Sequence, residues 1–175
     1  MTRLFWITGL AGAGKTTLAR ALVGSIRNRH QSVVLLDGDE LREAFSMTNC
    51  HELADRLRLA NSYARIARLI HTQGISVVCA TISPFPEVRQ WLRDHVPGYV
   101  EIFVRVSRNT LTDRDQKGLY SSAATNGRVN LVGFDIPFLE PATPDVVIDN
   151  EPGTNMADHV RAIDHFLDNT HRLSA

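Results

Sequence analysis

The sequence predicts an α/β fold in which a five-stranded parallel sheet has helices on both faces. Three observations lead to it: five short apolar runs, the amphipathic segments between them, and a glycine-rich turn directly after the first run. Continuously apolar runs are typical of strands buried on both faces, and strand–helix–strand units produce parallel sheets. The length of 175 residues and the hydrophobic content of 43% lead us to expect one domain over residues 1–175.

The first half of the chain supports this fold element by element. Residues 4–8 are the first apolar run, and residues 16–28 repeat apolar side chains on one face, which predicts a helix. A β-branched run predicts the second strand at 32–36, and a short helix is expected at 40–45. Residues 53–71 have an apolar side chain at every third or fourth position and arginines opposite, which is typical of an amphipathic helix.

The second half repeats the alternation of strands and helices. Apolar runs predict strands at 75–82, 100–106 and 145–148. Amphipathic segments predict a short helix at 87–95 and a closing helix at 155–169.

One long segment does not follow this alternation. Residues 113–144 are polar, weakly periodic and rich in Gly, Ser, Thr and Pro. A connection of this length inside a compact domain is usually functional. We therefore expect a lid loop over a binding site.

Charge and composition exclude several classes of protein. The 19 basic and 19 acidic residues cancel, and the pI of about 7.1 argues against a nucleic-acid-binding protein. No run approaches the roughly 20 apolar residues of a membrane span. We interpret residues 4–13 as a strand and its turn rather than as a signal peptide. Cys50 and Cys79 lack metal-ligand spacing, so we expect reduced thiols, no structural metal and a cytoplasmic location.

A phosphate-binding motif follows the first predicted strand. Residues 9–16, GLAGAGKT, match G-x-x-x-x-G-K-[ST] between a strand and a helix, the context in which this motif functions. Glycines let backbone N–H groups surround a phosphate, and the helix N-terminus favours its negative charge. The predicted ATP-binding residues are Gly9, Ala11, Gly12, Ala13, Gly14, Lys15, Thr16 and Thr17. The Thr16 hydroxyl is also a predicted Mg²⁺ ligand. Neither of the two lysines, Lys15 and Lys117, lies in a guanine-recognition motif, so we expect ATP rather than GTP.

Two carboxylates follow the second predicted strand, in the segment Asp37-Gly38-Asp39. Because ligands of open parallel sheets bind at the carboxyl ends of strands, both acids are expected beside the phosphate-binding loop. One acid would serve the Mg²⁺ shell, and the other would orient or deprotonate an acceptor hydroxyl, which favours a kinase over an ATPase. A structural alternative is that Asp39 is the N-cap of the short helix at 40–45.

These residues, together with several others, resemble one family. The further matches are Asp37-Gly-Asp-Glu-Leu-Arg42, Asp55-Arg56, Ile82-Ser-Pro-Phe85 with Arg89, and Arg114-Asp-Gln-Lys-Gly-Leu-Tyr120. In this order, from Gly9 to about Pro144, they resemble the adenylylsulfate kinases, which transfer the γ-phosphate of ATP to the 3′-hydroxyl of adenylylsulfate. The resemblance implies a P-loop kinase fold with a lid, a requirement for ATP and Mg²⁺, and a homodimer that acts on a small nucleotide.

The resemblance also implies roles for individual residues. Asp37 would serve the Mg²⁺ shell and Arg114 would bind ATP, while Asp39, Lys15 and Lys117 would be catalytic. The acceptor nucleotide would contact Asp39, Arg42, His51, Arg56, Ser83, Pro84, Phe85, Lys117, Gly118, Leu119 and Leu131.

The acceptor half of the site departs from the family pattern. His51 and Leu131 replace two aromatic residues that sandwich the adenine of adenylylsulfate, and Leu59 replaces an asparagine. Base stacking on an aromatic ring contributes roughly 1–3 kcal/mol. Two acceptors therefore remain open: adenylylsulfate, or another nucleotide such as cytidine diphosphoramidate, which a related kinase of capsule biosynthesis phosphorylates.

A third possibility is a catalytically silent ATP-binding module. From the residues alone, Arg42 and Arg56 also fit solvated charges on a helix face.

Overall fold

The architecture is a parallel sheet of five strands, seen in a computed structural model that describes residues 2–47, 52–115, 118–121 and 131–173. The strands are β1 (Leu4–Thr8), β2 (Val33–Asp37), β3 (Ser76–Ala80), β4 (Tyr99–Arg105) and β5 (Val146–Asp149). Their order is β2-β3-β1-β4-β5, and every neighbouring pair is parallel. The carboxyl ends of all five strands therefore lie at one edge of the sheet, with β1 in the centre.

Helices connect the strands and cover both faces of the sheet. In chain order they are α1 (Lys15–Asn28), α2 (Gly38–Ala44), α3 (Leu53–His71), α4 (Pro86–His95), α5 (Arg108–Arg114) and α6 (Met156–Leu173). α1 and α6 pack together on one face, and α3 contacts α4 on the other. No helix within the described part of the chain is long and apolar enough to cross a membrane.

The central strand β1 supplies both halves of the core. Phe5 and Ile7 face a cluster that includes Leu22 of α1 and Ile163 of α6. Leu4 and Trp6 face a second cluster, built with α3 and α4. Alternate side chains of a strand point to opposite faces, so a strand that is apolar throughout is the one that fits between two helical layers.

The predicted α/β class, parallel sheet and helical layers are confirmed, and most predicted boundaries lie within two residues of the observed ones. α3 spans the predicted residues 53–71. Two predictions were incomplete. α6 continues to Leu173, and α5 was not predicted, because a seven-residue helix has too few turns to show a clear period.

Candidate active site

A cavity of about 540 Å³ lies at the carboxyl ends of β1, β2 and β3. Its walls come from the phosphate-binding loop (residues 9–16), the segment after β2, α3, the segment after β3 and the lid. The predicted site residues that line it are Ala11, Gly12, Gly14, Lys15, Thr16, Thr17, Asp37, Asp39, Arg42, Arg56, Ser83, Pro84, Phe85, Leu119 and Leu131. A single cavity thus contacts the predicted ATP-binding and acceptor-binding segments.

The phosphate-binding loop depends on two glycines. Gly14 is the N-cap of α1 in the left-handed region at φ +95°, and Gly12 has φ +78°, a conformation that side chains disfavour. Gly9 packs on β4, where an added Cβ would lie 2.5 Å from the carbonyl oxygen of Val104. Gly9 and the buried Ala13 therefore shape the loop from outside the cavity that their neighbours line.

Lys15 is the first residue of α1 and lines the cavity. Its Nζ donates a hydrogen bond of 2.7 Å to the carbonyl of Leu10 within the same loop. Burial lowers the pKa of Lys15 to about 8, although the negative charges of Asp39 and Asp37 oppose this shift. The desolvated ammonium is thus held at the loop, where a bound anion would stabilise its charged form.

The first carboxylate, Asp37, ends β2 and is 7% exposed. It accepts a hydrogen bond of 2.6 Å from the Thr16 hydroxyl and one of 2.9 Å from the backbone N–H of Asp39. The second bond makes Asp37 the N-cap of α2, so the structural alternative that assigned this cap to Asp39 is wrong. α2 begins at Gly38 rather than at residue 40 because the capping carboxylate comes earlier than predicted.

The second carboxylate, Asp39, has an exposed side chain in the first turn of α2. Its Oδ1 lies 3.9 Å from a guanidinium nitrogen of Arg42, one turn along the same helix. Asp39 therefore lies between the phosphate-binding loop and the basic part of the cavity.

Two arginines form the basic wall of the cavity. Arg42 on α2 and Arg56 on α3 both line it, and neither is a fully solvated helix-face charge. Burial and the charge of Arg42 lower the pKa of Arg56, and Asp135 of the lid opposes this effect. Tyr63, buried behind them, donates to the carbonyl of Gly38 at 3.3 Å; burial raises the pKa of Tyr63, and the positive charge of Arg42 opposes this shift. Two guanidinium groups that line the same cavity are a typical binding site for a phosphate-like anion.

The predicted acceptor loop, residues 82–85, follows β3 and lines the same cavity. Ser83 adopts φ +43°, a conformation uncommon for residues other than glycine, and its buried hydroxyl has no hydrogen-bond partner among the described residues. Phe85 is 8% exposed, and it and Leu131 of the lid both contribute apolar side chains to the cavity lining. This part of the cavity suits the flat, less polar part of a ligand.

Arg89 of α4 is hydrogen-bonded to the acceptor loop. Its guanidinium donates to the carbonyl of Ser83 at 2.6 Å and to the carbonyl of Leu139, at the end of the lid, at 3.0 Å. It also pairs with Glu101 of β4 at 2.9 Å, with both side chains almost fully buried. One buried cation thus joins the core, the acceptor loop and the lid.

The lid contacts the phosphate-binding loop through residues that lie beside the cavity. Arg114 donates to the carbonyl of Gly12 at 3.2 Å, and the Tyr120 hydroxyl donates to that of Ala11 at 2.8 Å. Gly118, at φ +66°, starts the turn that leads to Tyr120, and it does not line the cavity. The predicted site residues Lys117 and His51 lie outside the described residues.

Several residues of the site escaped the sequence analysis. Tyr63 and Thr81 line the cavity, and Asn150, after β5, donates to the carbonyl of Ala13 at 2.8 Å. His159 of α6 is buried, and its Nε2 contacts Oδ1 of Asn150 at 3.3 Å. The position of Asn150 directly after a strand was the available signal, because the carboxyl ends of parallel strands meet at the site.

The arrangement agrees with a comparison against protein families. A family model described as adenylylsulphate kinase matches residues 1–149. The chain belongs to this family. Its members are ATP-dependent phosphotransferases, so this family member is a nucleotide kinase.

Curated relatives with two different names match this adenylylsulfate kinase family member. The cytidine diphosphoramidate kinase of Campylobacter jejuni subsp. jejuni serotype O:2 is 37% identical over 160 residues, which cover 91% of this chain and 93% of the relative. The adenylyl-sulfate kinase of Deinococcus deserti is 38% identical over 144 residues, which cover 82% of this chain and 80% of the relative. Sequence similarity therefore leaves the acceptor open.

A solved structure with bound nucleotides has the same fold. The APS kinase CysC of Mycobacterium tuberculosis, in complex with AMPPNP and APS, matches with a TM-score of 0.86 at 27% identity. The match covers 95% of this chain and 98% of that one. The P-loop kinase fold predicted from the sequence is confirmed.

Proposed function

We propose that this protein transfers the γ-phosphate of ATP to the ribose 3′-hydroxyl of a small nucleotide. The supporting observation is the single cavity that joins the phosphate-binding loop, the two carboxylates and the arginine pair Arg42 and Arg56. ATP phosphates fit the loop at one end, and the anionic group of an acceptor nucleotide fits the arginine pair at the other. The acceptor hydroxyl would then lie next to Asp39, between the two.

Three residues have catalytic roles in this proposal. Asp39 accepts the proton of the attacking hydroxyl, as its place between the two binding regions allows. Lys15 leaves its contact with the Leu10 carbonyl and neutralises charge on the transferring phosphoryl group. Lys117 is included because the lid motif around it resembles that of the family.

The residues beside the phosphate-binding loop also fit Mg²⁺. The Thr16 hydroxyl and an Asp37 carboxylate oxygen lie 2.6 Å apart at the cavity wall, and both are hard oxygen donors of the kind that Mg²⁺ prefers. We propose that these two side chains hold the ion, directly or through water. When bound, Mg²⁺ supplies charge neutralisation of the ATP phosphates.

The first candidate acceptor is adenylylsulfate. It is supported by the family match and by the similarity to a structure that contains APS. Its phosphate–sulfate group would suit the arginine pair, and Phe85 would contact the base.

The second candidate acceptor is cytidine diphosphoramidate. The Campylobacter jejuni relative of that name covers 91% of this chain. The cavity supports a changed base pocket, because the buried Leu59 and Leu131 present aliphatic surfaces rather than an amide and an aromatic ring. Both candidates share a nucleoside, an anionic 5′ group and a free 3′-hydroxyl.

A panel assay distinguishes the candidates. ADP release is measured with saturating ATP and Mg²⁺ while adenylylsulfate, cytidine diphosphoramidate, CDP and UDP are titrated in turn, and the product is checked for a 3′-phosphate. Saturation at micromolar concentration by one acceptor, with at least about a hundredfold preference in kcat/KM, identifies the substrate. Binding of ATP without acceptor-dependent ADP release would instead support a catalytically silent module and contradict the proposal.

The assembly of the protein is a separate proposal. We propose a homodimer of single-domain subunits, supported by the resemblance to the adenylylsulfate kinases and by the one sheet that joins the strands between Leu4 and Asp149. Light scattering after gel filtration tests it, and a monomer mass at micromolar concentration would contradict it.

A further inference from the structure

Consecutive carbonyl groups of the phosphate-binding loop each accept a hydrogen bond from a side chain. The pairs are Leu10 with Lys15 Nζ at 2.7 Å, Ala11 with Tyr120 Oη at 2.8 Å, Gly12 with Arg114 at 3.2 Å, and Ala13 with Asn150 Nδ2 at 2.8 Å. Asn150 belongs to none of the motifs that identify the family, and it makes the buried bond of the set.

The bond from Asn150 fixes a particular peptide plane. In a planar trans peptide, the carbonyl of Ala13 and the N–H of Gly14 point in opposite directions. Because Asn150 holds the carbonyl on the side away from the cavity, the N–H of Gly14 points toward the cavity that Gly14 lines. This N–H lies at the start of α1, where backbone amides bind phosphate.

Further hydrogen bonds fix the position of Asn150 itself. Its backbone N–H donates to the carbonyl of Arg105 at 3.0 Å, and its backbone carbonyl accepts from Arg114 at 2.8 Å. Its Oδ1 contacts Nε2 of His159 at 3.3 Å and accepts from the Thr154 hydroxyl at 3.2 Å. A carbonyl can only accept, so the amide NH₂ must face Ala13, and Nε2 of His159 is then the donor.

Gly14 and Asn150 also approach each other closely. A Cβ at Gly14 would overlap Nδ2 of Asn150, and Gly14 already has a positive φ. The glycine therefore provides the space through which the amide reaches the loop. The asparagine amide therefore packs directly against the loop at Gly14.

We propose that Asn150 is a positioning residue for the phosphate cradle: it orients the Ala13–Gly14 peptide so that the Gly14 N–H meets the ATP phosphates without reorganisation. His159 supports it by fixing the orientation of the amide. The inference rests on the ATP-binding part of the proposed function and does not depend on the acceptor.

The test measures binding in the absence of any acceptor. Dissociation constants for Mg·ATP and for inorganic tripolyphosphate are determined by calorimetry for the wild type, Asn150→Ala and Asn150→Asp. The matched control is Asn169→Asp, which makes the same change on the exposed surface of α6. Thermal unfolding shows whether each variant is folded.

Both Asn150 variants are expected to lose affinity. Asn150→Ala leaves a buried carbonyl unpaired, and Asn150→Asp places an acceptor against it, so the loss should be about 10-fold for the first and larger for the second. The loss should be equal for ATP and tripolyphosphate because it arises at the phosphates, and the acceptor KM should stay unchanged. Asn169→Asp should bind as the wild type does.

Three outcomes would overturn the inference. One is a folded Asn150→Asp protein with wild-type affinity for tripolyphosphate, and another is a loss seen with ATP alone, which would place the effect at the nucleoside. If both Asn150 variants fail to fold, His159→Leu decides: a loss of about threefold or more for both ligands supports the inference, and wild-type affinity overturns it. A wild type that binds ATP but phosphorylates no acceptor contradicts the proposed function only.

Discussion

At the scale of single residues, the charge on Lys15 connects local burial with nucleotide binding. Burial lowers its pKa to about 8, so the ammonium begins to lose its proton just above neutral pH in the nucleotide-free protein. Bound phosphates favour the charged form and raise the pKa again. Binding of ATP above pH 8 therefore requires uptake of a proton.

We expect the ATP affinity to fall as pH rises above about 8, by up to about tenfold per pH unit. Calorimetric titrations from pH 7 to 9.5 measure the slope, and buffers with different ionisation enthalpies report the proton uptake. Lys15→Arg is the control, since a guanidinium keeps its charge over this range and should bind with no such slope. A flat profile for the wild type would contradict the prediction.

Asp39 provides a second prediction at this scale. Asp39→Asn should bind ATP normally and lose turnover by about 10²–10⁴-fold, because an amide cannot take the proton of the attacking 3′-hydroxyl. Stopped assays at saturating substrates measure kcat. Glu40→Gln, the neighbouring exposed acid on α2, is the matched control and should retain activity. Near-normal turnover of Asp39→Asn would exclude the proposed role.

At the scale of elements, α2 couples a helix cap to the proposed Mg²⁺ site. Asp37 accepts from the N–H of Asp39 with one oxygen and from the Thr16 hydroxyl with the other. The same carboxylate thus caps the start of α2, the helix that carries Asp39 and Arg42. It also faces the phosphate-binding loop.

Two substitutions separate these functions of Asp37. Asn is as good an N-cap as Asp, so Asp37→Asn should keep the melting temperature close to wild type while the Mg²⁺ concentration for half-maximal activity rises about tenfold or more. Asp37→Ala should show the same Mg²⁺ effect and also lose about 1 kcal/mol of unfolding free energy. Equal stability losses in the two variants would argue against the cap.

At the scale of the whole molecule, a buried ion-pair group joins α4, β4 and the lid. Glu101 pairs with Arg89 at 2.9 Å and with Arg93 at 3.1 Å, and Arg93 also reaches Asp145 before β5. Burial raises the pKa of Glu101, and the two arginines oppose this shift. Because Arg89 also donates hydrogen bonds to the carbonyls of Ser83 and Leu139, loss of the Glu101 charge should disturb both the core and the acceptor loop.

Glu101→Gln should lower the unfolding free energy by about 3–5 kcal/mol, because it leaves the buried Arg89 without its counter-charge. For a protein of this size, that is a fall in melting temperature of roughly 10 °C. Scanning calorimetry measures it. Asp149→Asn, which breaks the exposed pair with Arg105 on the neighbouring strands, is the control and should melt close to wild type. Similar melting temperatures for the two variants would contradict the prediction.

Much of the fold could be predicted because local patterns encode it. Each strand is a short apolar run, and each long helix repeats its apolar residues with the helical period. α5 was missed because a seven-residue helix has too few turns to show a clear period, and the cap at Asp37 was missed because it depends on a single hydrogen bond from a backbone N–H to a side chain.

The sequence by itself determined the fold class, the family and the phosphate-binding loop, because glycines at fixed spacing impose that loop's conformation locally. Only the tertiary structure showed what holds the loop in place. Its partners Arg114, Tyr120 and Asn150 lie 102, 109 and 137 residues away from the carbonyl groups that they bind. No local pattern encodes such distant contacts, since they form only when β4, β5 and the lid pack beside the start of α1.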